Sequence, residues 1–327
     1  MEKVFITGAT GLVGSYIAVR LLQEGWQVYA LRRKGSGLLP EHLPGLTWIQ
    51  GDISDIALLG EWIPQVSMVV HAAGLVSFRL SHYRQLLKVN EEGTANLVNV
   101  ALDHPHLKVF CFISSVAALG GKGQIIDENA KWDEHSHYSY YALSKHLAER
   151  QVWRGIAEGL PAVIVNPSVV LGTPSKGSSL AQLFKLALQS PRYPSGWINL
   201  VDAADVAEAV VLLLKHRITS ERFILSAGAL TYAEFFAHIC QVLGKPFHKK
   251  PLADGWIKWL GTIGNWIDAD FNRQVAEMAI QKVHYDGNKI TRTVNLQYTP
   301  LTESIRKVAL SFFNVSHQLH GKKEQKE

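Results

Sequence analysis

Short apolar runs alternate with longer segments in which apolar residues recur every three or four positions, and this pattern continues along most of the chain. The short runs predict strands, and the longer segments predict amphipathic helices. The predicted strands cover residues 4–7, 27–31, 46–50, 68–70, 109–113, 162–165 and 223–225. Strands that alternate with helices in this way are typical of an α/β fold, in which helices cover both faces of a doubly wound parallel sheet.

After residue 172 the alternation becomes less regular. Helices are predicted at residues 178–188, 203–215, 231–243 and 301–313, and the third of these begins with a capping box formed by Thr231 and Glu234. We expect residues 1–172, together with about 196–226, to form a nucleotide-binding core. Residues 173–315 are expected to form a smaller C-terminal substrate-binding region interleaved with that core, and residues 316–327 a disordered tail.

Three tryptophans, Trp256, Trp259 and Trp266, lie close together among Leu, Ile and Gly in the C-terminal region. The segment is apolar and aromatic and carries few charges, so three interpretations stay open. It could form a helical lid over a substrate pocket, it could be a packing surface or dimer interface, or it could contact a membrane peripherally.

The 327-residue chain is 47% hydrophobic, which is enough to bury a sizeable core. Lys and Arg (33 residues) outnumber Asp and Glu (28 residues), but the basic residues are scattered except for Arg32-Arg33-Lys34 and a Lys-rich tail. This distribution argues against a nucleic-acid-binding surface and suits an anionic cofactor or substrate.

The only two cysteines, Cys111 and Cys240, provide neither a disulfide framework nor a metal-ligand spacing. The first predicted strand begins at residue 4, which leaves no room for a signal peptide. No uncharged apolar run reaches the roughly 18 residues of a membrane span. We therefore expect a cytoplasmic protein without a membrane-spanning segment.

The first predicted strand is followed by Gly8-Ala9-Thr10-Gly11-Leu12-Val13-Gly14 and then by a helical pattern. Glycines allow the backbone to turn tightly and to approach a pyrophosphate, which binds at the positive end of the helix. At the first strand–helix junction, this motif favours dinucleotide binding over an ordinary turn.

The second predicted strand leads into Arg32, which is followed by Arg33 and Lys34. In doubly wound folds the residue that closes this strand faces the adenosine ribose. An acidic side chain there would accept from the 2′-hydroxyl of NAD, whereas arginine matches the 2′-phosphate of NADP. Arg32 therefore favours NADP as the cofactor, with NAD possible, and a solvated basic turn is the alternative.

Small or polar residues follow the third and fourth predicted strands, at the sheet edge where open α/β folds bind ligands. Asp52 could accept a hydrogen bond from the adenine amino group, and residues 72–74 (Ala-Ala-Gly) leave room for the cofactor backbone. We interpret His71 as a packed strand-end residue. Asn90, on the next helix, is either a structural amide or a cofactor ligand.

A helix predicted over residues 138–155 carries Tyr141 and Lys145 one turn apart on the same face. A fixed ammonium beside a phenol stabilises the phenolate and lowers its pKa from about 10 towards the neutral range. Ser115, at the tip of the fifth strand, could hold a substrate oxygen while Tyr141 transfers a proton, and Ser114 is the alternative. Alone, such a Tyr/Lys pair is more typical of an exposed helix face, but its agreement with the glycine turn favours a nicotinamide enzyme.

Together, these motifs resemble the extended short-chain dehydrogenase/reductase family over about residues 4–313. The resemblance is carried, in the order of the family, by Thr7-Gly8-x-x-Gly11-x-x-Gly14, Gly51-Asp52, His71-Ala72-Ala73, Asn90-x-x-Gly93-Thr94, Ser114-Ser115, Tyr141-x-x-x-Lys145, Asn166-Pro167-Ser168 and Val201-Asp202-x-x-Asp205-Val206-Ala207. It implies a seven-stranded parallel Rossmann core. Arg32 and the Asn166-Pro167-Ser168 turn are most similar to the dihydroflavonol-reductase and hydroxysteroid-dehydrogenase branch.

The resemblance also implies residue roles. Tyr141 would be the general acid/base, Lys145 would bind the nicotinamide ribose and lower the phenol pKa, and Ser115 would orient the substrate oxygen. Besides Tyr141 and Lys145, the residues expected to line the cofactor are Gly8, Gly11, Leu12, Val13, Gly14, Arg32, Arg33, Asp52, Ile53, Ala72, Ala73, Gly74, Asn90, Ser114, Pro167 and Ser168.

The leading hypothesis is an oxidoreductase that transfers hydride between NADP(H) and a small carbonyl or alcohol substrate, whose pocket would involve residues 78–87 and the region after residue 171. One alternative is a nucleotide-sugar epimerase with tightly bound NAD, and a second is a non-catalytic dinucleotide-binding regulator. Residues 116–119 contain no carboxylate, which argues against a dehydratase. Because many members of the family dimerise, a homodimer is expected.

Overall fold

The computed structural model describes residues 1–33, 39–121, 123–134, 138–173, 178–266 and 272–321, and the side chains of residues 265, 266 and 314–321 are not among the described parts. The strands are β1 (Lys3–Thr7), β2 (Gln27–Arg32), β3 (Leu46–Gln50), β4 (Met68–His71), β5 (Val109–Ile113), β6 (Ile125–Ile126), β7 (Ala162–Pro167), β8 (Val169–Leu171), β9 (Arg192–Tyr193), β10 (Trp197–Asp202), β11 (Glu221–Leu225), β12 (Gly228–Thr231), β13 (Lys250–Pro251) and β14 (His284–Tyr285).

The α-helices are α1 (Leu12–Gln23), α2 (Ile56–Trp62), α3 (Tyr83–Leu86), α4 (Gly93–Leu102), α5 (Tyr140–Ala157), α6 (Ser179–Gln189), α7 (Ala203–Lys215), α8 (Tyr232–Val242), α9 (Asp254–Trp266), α10 (Arg273–Ile280), α11 (Asn288–Val294) and α12 (Leu301–Gly321). A π-helical segment, Leu87–Glu92, joins α3 to α4, so that one continuous helical run passes through Asn90.

Seven parallel strands form the central sheet in the order β11-β7-β5-β4-β1-β2-β3. The chain builds outward from β1 through β2 and β3, then returns to the other side of β1 to place β4. The crevice at such a reversal, beyond the carboxyl ends of the strands, is where open α/β sheets bind ligands. The predicted doubly wound Rossmann fold is confirmed.

Alternating residues of the central strands pack against different helical layers. On β1, Val4 and Ile6 belong to the core shared with α1 and α7, whereas Phe5 belongs to the opposite core shared with α4 and α5. All three side chains are fully buried, as expected when helices cover both faces of a parallel sheet. A third core lies in the C-terminal region, where α6, α8 and α12 pack together.

Side-chain caps set the starts of several helices. Helix α5 begins at Tyr140, slightly after the predicted start, because the Ser139 hydroxyl accepts from the backbone N–H of Ala142 at 3.0 Å. The predicted capping box at Thr231 and Glu234 is confirmed at the start of α8.

The last helix, α12, continues to Gly321, beyond the predicted end at residue 313 and into the segment expected to be a disordered tail. Residues 322–327 of that tail, like Lys34, lie outside the described residues. Among the helices that are described, none combines the length and apolar character needed to cross a bilayer.

Candidate active site

The glycine turn packs directly on the loop that follows β4. Gly8 has φ +76°, and a Cβ atom at this position would lie only 2.4 Å from the carbonyl carbon of Ala72. A Cβ atom at Gly14 would lie 2.1 Å from the carbonyl oxygen of Gly8. Both glycines are therefore required by backbone packing. Gly11 differs, because it is exposed and the nearest atom to its Cβ position is 3.4 Å away.

Helix α1 starts with its backbone donors available to an anion. The N-cap is Gly11, which has no side chain to cap the helix, and the first turn contains no acidic residue. The positive end of the helix and its N–H groups suit a pyrophosphate. Leu12 and Val13 form the first turn and are half-buried against the hydrophobic cores, and their cofactor-lining role stays a prediction.

Arg32 closes β2 and is already engaged by a carboxylate. Its Nη1 and Nη2 atoms donate to Oε1 and Oε2 of Glu41 at 2.8 Å and 2.7 Å, and its guanidinium stacks 4.6 Å from the centre of the Trp48 ring. Arginine binds phosphates with this same two-pronged geometry. The 2′-phosphate predicted for this position would therefore compete with Glu41. Arg33 follows at the exposed surface.

Asp52 and Ile53 follow β3 as expected, but they perform different tasks. Oδ1 of Asp52 accepts from the backbone N–H of Ser54 at 3.0 Å and from its hydroxyl at 2.8 Å. Although desolvation opposes it, this hydrogen bonding lowers the pKa of Asp52, which keeps the carboxylate ionised. Ile53 is buried and fills the space that the absent side chain of Gly93 leaves.

The loop 72–74 runs beside Lys145 and Asn90. A Cβ atom at Gly74 would lie 3.4 Å from Oδ1 of Asn90 and 3.8 Å from Nζ of Lys145. The amide of Asn90 accepts from the backbone N–H of Leu75 at 2.7 Å and donates to the Leu75 carbonyl at 3.0 Å and the Ser144 hydroxyl at 2.8 Å. Of the two interpretations of Asn90, the contacts support a structural amide, which ties the π-helical segment to α5.

His71 is a packed strand-end residue, as interpreted from the sequence. It is fully buried between the hydroxyls of Thr7 and Thr94, at 2.7 Å from Nδ1 and 3.0 Å from Nε2. Because Thr94 donates its proton to the carbonyl of Asn90, it accepts from His71, which places the imidazole proton on Nε2. Burial, aided by Lys145, lowers the pKa of His71 to about 3.

The fold brings Tyr141 and Ser115 into contact. The Ser115 hydroxyl shares a hydrogen bond with the Tyr141 phenol and also accepts from the backbone N–H of Ala117 at 3.2 Å. The ring of Phe78 packs edge-on against Tyr141, with 5.9 Å between ring centres. A substrate oxygen that reached the phenol would therefore lie within a hydrogen bond of both side chains.

The expected lowering of the phenol pKa by Lys145 is wrong for this arrangement. Burial of the hydroxyl raises the pKa of Tyr141, and it is the hydrogen bond with Ser115 that opposes this rise. Nζ of Lys145 donates to the carbonyl of Ile113 at 2.9 Å and lies 4.3 Å from the centre of the Phe112 ring. Burial lowers the pKa of Lys145 itself to about 8, against a smaller opposing effect of Glu149.

Three buried serine hydroxyls at the carboxyl ends of the sheet strands have no hydrogen-bond partner within the described part of the chain. They belong to Ser114 after β5, Ser168 after β7 and Ser226 after β11. A buried polar atom normally has a partner, so these three hydroxyls are available to water or to polar atoms of a ligand. Pro167, the last residue of β7, lies beside them and is buried. Ser114 and Ser168 thus fit the predicted cofactor-lining role, while Ser115 is the serine that contacts Tyr141.

Sequence reasoning missed Glu149 and Arg222. Glu149 is 1% exposed and lies on α5 one turn after Lys145, where its carboxylate binds Arg222 and the amide of Asn166. The sequence held one signal for Glu149. It follows Lys145 by four residues and Tyr141 by eight, and residues at these spacings share one face of a helix. Arg222 gave no such signal, since its strand is distant in the sequence.

Residues 4–225 match the model of the NAD dependent epimerase/dehydratase family. The chain is 28% identical to a protein of Synechocystis sp. provisionally named dihydroflavonol 4-reductase, with 92% of each chain covered. It is also 28% identical to a UDP-glucose 4-epimerase of Vibrio cholerae, with 80% of this chain and 82% of that protein covered. The predicted resemblance to the reductase branch of the family is confirmed.

Solved structures agree with this relationship. The crystal structure of gox2253 superposes with a TM-score of 0.84 at 26% identity, covering 97% of this chain and 99% of that one. The Bordetella bronchiseptica enzyme WbmH in complex with NAD+ superposes with a TM-score of 0.74 at 22% identity, covering 95% and 98%. The second likeness shows a shared fold.

Proposed function

The chain belongs to the NAD dependent epimerase/dehydratase family, and we propose that within it the protein is an NADP-dependent reductase or dehydrogenase of small carbonyl or alcohol substrates. The observation that carries the proposal is the hydrogen bond between Tyr141 and Ser115, with Lys145 one turn along α5. A phenol and a hydroxyl that already share a hydrogen bond form a site for one further oxygen atom.

The residues at the carboxyl edge of the sheet fit a dinucleotide. The start of α1, whose N-cap is a glycine, and the Gly8 turn suit the pyrophosphate. The hydroxyls of Ser114 and Ser168, which have no hydrogen-bond partner among the described residues, suit polar ligand atoms. Arg32 would contact the adenosine ribose, where its guanidinium favours the 2′-phosphate of NADP over NAD. When bound, the nicotinamide ring would supply or accept the hydride.

The protein groups would handle the oxygen and its proton. In the reductive direction Tyr141 would donate its proton to the oxygen of the substrate carbonyl, while the hydroxyl of Ser115 would stabilise the charge that develops there. In the oxidative direction the phenolate would remove the proton. Because burial raises the pKa of Tyr141, the protonated phenol predominates at neutral pH, which favours the donor role.

The substrate would enter beside Phe78, whose ring already contacts Tyr141. The buried amide of Asn272, which caps α10, donates to the carbonyl of Phe78, so the C-terminal region joins this wall of the site. Trp256 and Trp259 on α9 are 60% and 54% exposed, which leaves the lid, dimer-interface and membrane-contact interpretations as predictions. The homodimer and the cytoplasmic location likewise stay predictions.

A nucleotide-sugar epimerase is the second candidate, favoured by the similarity to the Vibrio cholerae epimerase. One feature weighs against it: Arg32 stands where NAD-dependent members usually have an acidic residue. A non-catalytic dinucleotide-binding regulator is disfavoured because tyrosine, lysine and serine are all retained.

Mass spectrometry of cofactor released from the purified protein, followed by turnover assays with NADPH and NADH on a panel of aldehydes and ketones, tests the proposal. We expect protein that is free of cofactor or carries NADP, and NADPH oxidation with at least one carbonyl. Tightly bound NAD without net redox change would favour the epimerase, and dinucleotide binding without turnover on the whole panel would favour the regulator.

A further inference from the structure

Glu149 is buried on the same helix as Tyr141 and Lys145. It follows Lys145 by one helical turn on α5 and is 1% exposed. Its Oε2 atom accepts from Nη2 of Arg222 on β11, and its Oε1 atom accepts from Nδ2 of Asn166 on β7 at 2.5 Å. Glu149 interacts electrostatically with Lys145 and His146 on its own helix and forms an ion pair with Arg222 on β11.

The amide of Asn166 connects this carboxylate to Ser115. Besides Glu149, Nδ2 of Asn166 donates to the backbone carbonyl of Ser115 at 2.8 Å. Both acceptors converge on the same nitrogen, whereas Oδ1 of Asn166 is buried with no partner among the described residues. A flipped amide would turn its oxygen towards a carboxylate and a carbonyl, neither of which can donate. The carboxylate therefore selects the orientation in which Asn166 holds Ser115.

We propose that Glu149 is a positioning residue for Ser115 and acts through the side-chain amide of Asn166. The inference rests on the proposed function, in which the Ser115 hydroxyl holds the substrate oxygen. The Ser115 carbonyl is fixed by Asn166 and by the N–H of Ala118 at 3.0 Å, and its hydroxyl is aimed by the N–H of Ala117 and by Tyr141. A small rotation of this peptide would move the hydroxyl away from Tyr141, and misplacements of about 1 Å can cost on the order of 100-fold in rate.

Stability alone does not explain this ion pair. A buried carboxylate and guanidinium lose their hydration, and replacing such a pair by apolar residues of similar size is often neutral or stabilising. Arg222 compensates the charge of Glu149 and lies 5.5 Å from the centre of the Trp153 ring, but its Nε atom is buried without a hydrogen-bond partner among the described residues. What an apolar pair could not provide is an acceptor for the second hydrogen of the Asn166 amide.

The test distinguishes two properties of Glu149: its hydrogen-bond acceptor for Asn166 and its negative charge beside Arg222. The double variant E149L/R222M removes the ion pair without leaving a lone charge, N166A removes the link, and E149Q keeps an acceptor for Asn166. E158Q at the exposed end of the same helix, where Glu158 pairs with Arg154, is the matched control. For each protein, kcat, KM, the dissociation constant of NADPH and a crystal structure with NADP+ are measured.

We expect E149L/R222M and N166A to lose about tenfold or more in kcat, with the NADPH dissociation constant within about twofold of the wild-type value. Their crystal structures should show the hydrogen bond between Ser115 and Tyr141 broken. E149Q should stay within about threefold of wild type, E158Q should be unchanged, and N166A should add nothing in the E149L/R222M background, because both act through one link.

Retention of the Ser115–Tyr141 hydrogen bond in both E149L/R222M and N166A overturns the proposal, whatever the activity. If the wild-type protein reduces no carbonyl, the proposed function fails instead, and the crystal structures still decide whether Glu149 positions Ser115. If E149L/R222M does not fold, N166A, in which Glu149 keeps Arg222, decides by the same two readouts.

Discussion

The hydroxyl of Ser115 and the phenol of Tyr141 share a hydrogen bond, although one follows a central strand and the other lies in the first turn of α5. Their contact depends on Ser139, which starts α5 one residue before Tyr140, and on the register of β5 in the sheet.

Replacing Tyr141 by Phe should reduce turnover by about two orders of magnitude or more and leave NADPH binding nearly unchanged, because the change removes only the proton donor. Turnover and fluorescence titration of NADPH measure the two effects. Y140F, which alters the neighbouring tyrosine that packs on Tyr83, is the control and should keep its turnover. Normal turnover of Y141F would remove Tyr141 from the mechanism.

The ion pair of Arg32 and Glu41 predicts an effect on cofactor preference. Glu41 accepts hydrogen bonds from both Nη atoms of Arg32. E41Q should therefore strengthen NADPH binding by up to about fivefold, a change that corresponds to the free energy of a surface ion pair. NADH, which has no 2′-phosphate, should gain nothing. R32A should weaken NADPH binding by about tenfold or more and leave NADH binding almost unchanged.

Fluorescence titration of both nucleotides against the wild-type protein and the two variants measures these changes. Equal losses of NADPH and NADH affinity in R32A would place the 2′-phosphate partner elsewhere. No response of NADPH affinity to E41Q would show that the carboxylate does not compete for Arg32.

The glycine turn offers a matched pair of alanine variants. G14A should destabilise the protein strongly, because its Cβ would lie 2.1 Å from the carbonyl oxygen of Gly8. G11A should fold normally, since Gly11 has φ −93° and the nearest atom to its Cβ position lies 3.4 Å away. Its methyl group would nevertheless project at the exposed start of α1, where the pyrophosphate is proposed to bind.

We therefore expect G11A to keep the melting temperature of the wild type and to lose about tenfold or more in dinucleotide affinity. Differential scanning fluorimetry and NADPH titration give the two quantities. Wild-type affinity in a fully folded G11A protein would argue that the dinucleotide does not approach this turn.

His71 predicts the acid sensitivity of the fold. Burial lowers its pKa from 6.5 to about 3, so between these values the unfolded chain binds a proton that the folded protein does not. The free energy of unfolding should therefore fall as the pH falls through this window, by about 1.4 kcal/mol per pH unit from this residue. Above pH 6.5 the contribution is constant.

Urea denaturation at pH 7.5, 5.5 and 4.5 measures this dependence. Because several carboxylates also titrate in the acid range, the informative quantity is the difference between the wild-type protein and H71N, whose amide can still accept from Thr7. H71N should show a shallower pH dependence. Identical slopes for the two proteins would contradict the assignment of the acid sensitivity to His71.

The sequence by itself determined the sheet and the positions of its functional edge. Short apolar runs that alternate with longer helical segments indicate strands of an α/β sheet, and they located all seven strands of the central sheet within a few residues. Since parallel strands end at one edge, the residues that follow them, such as Gly8, Asp52 and Ser115, were predicted to lie together. Local hydrogen bonding also sufficed for the capping box at Thr231.

Only the tertiary structure decided the pairings and the pKa directions. Glu41, in the segment between β2 and β3, binds Arg32, and Arg222 on β11 binds Glu149 on α5. No local sequence pattern specifies either contact. The pKa of Tyr141 is raised and not lowered as expected, because it too depends on tertiary contacts. Desolvation depends on everything packed around a group, whereas helix spacing specifies only which side chains share its face.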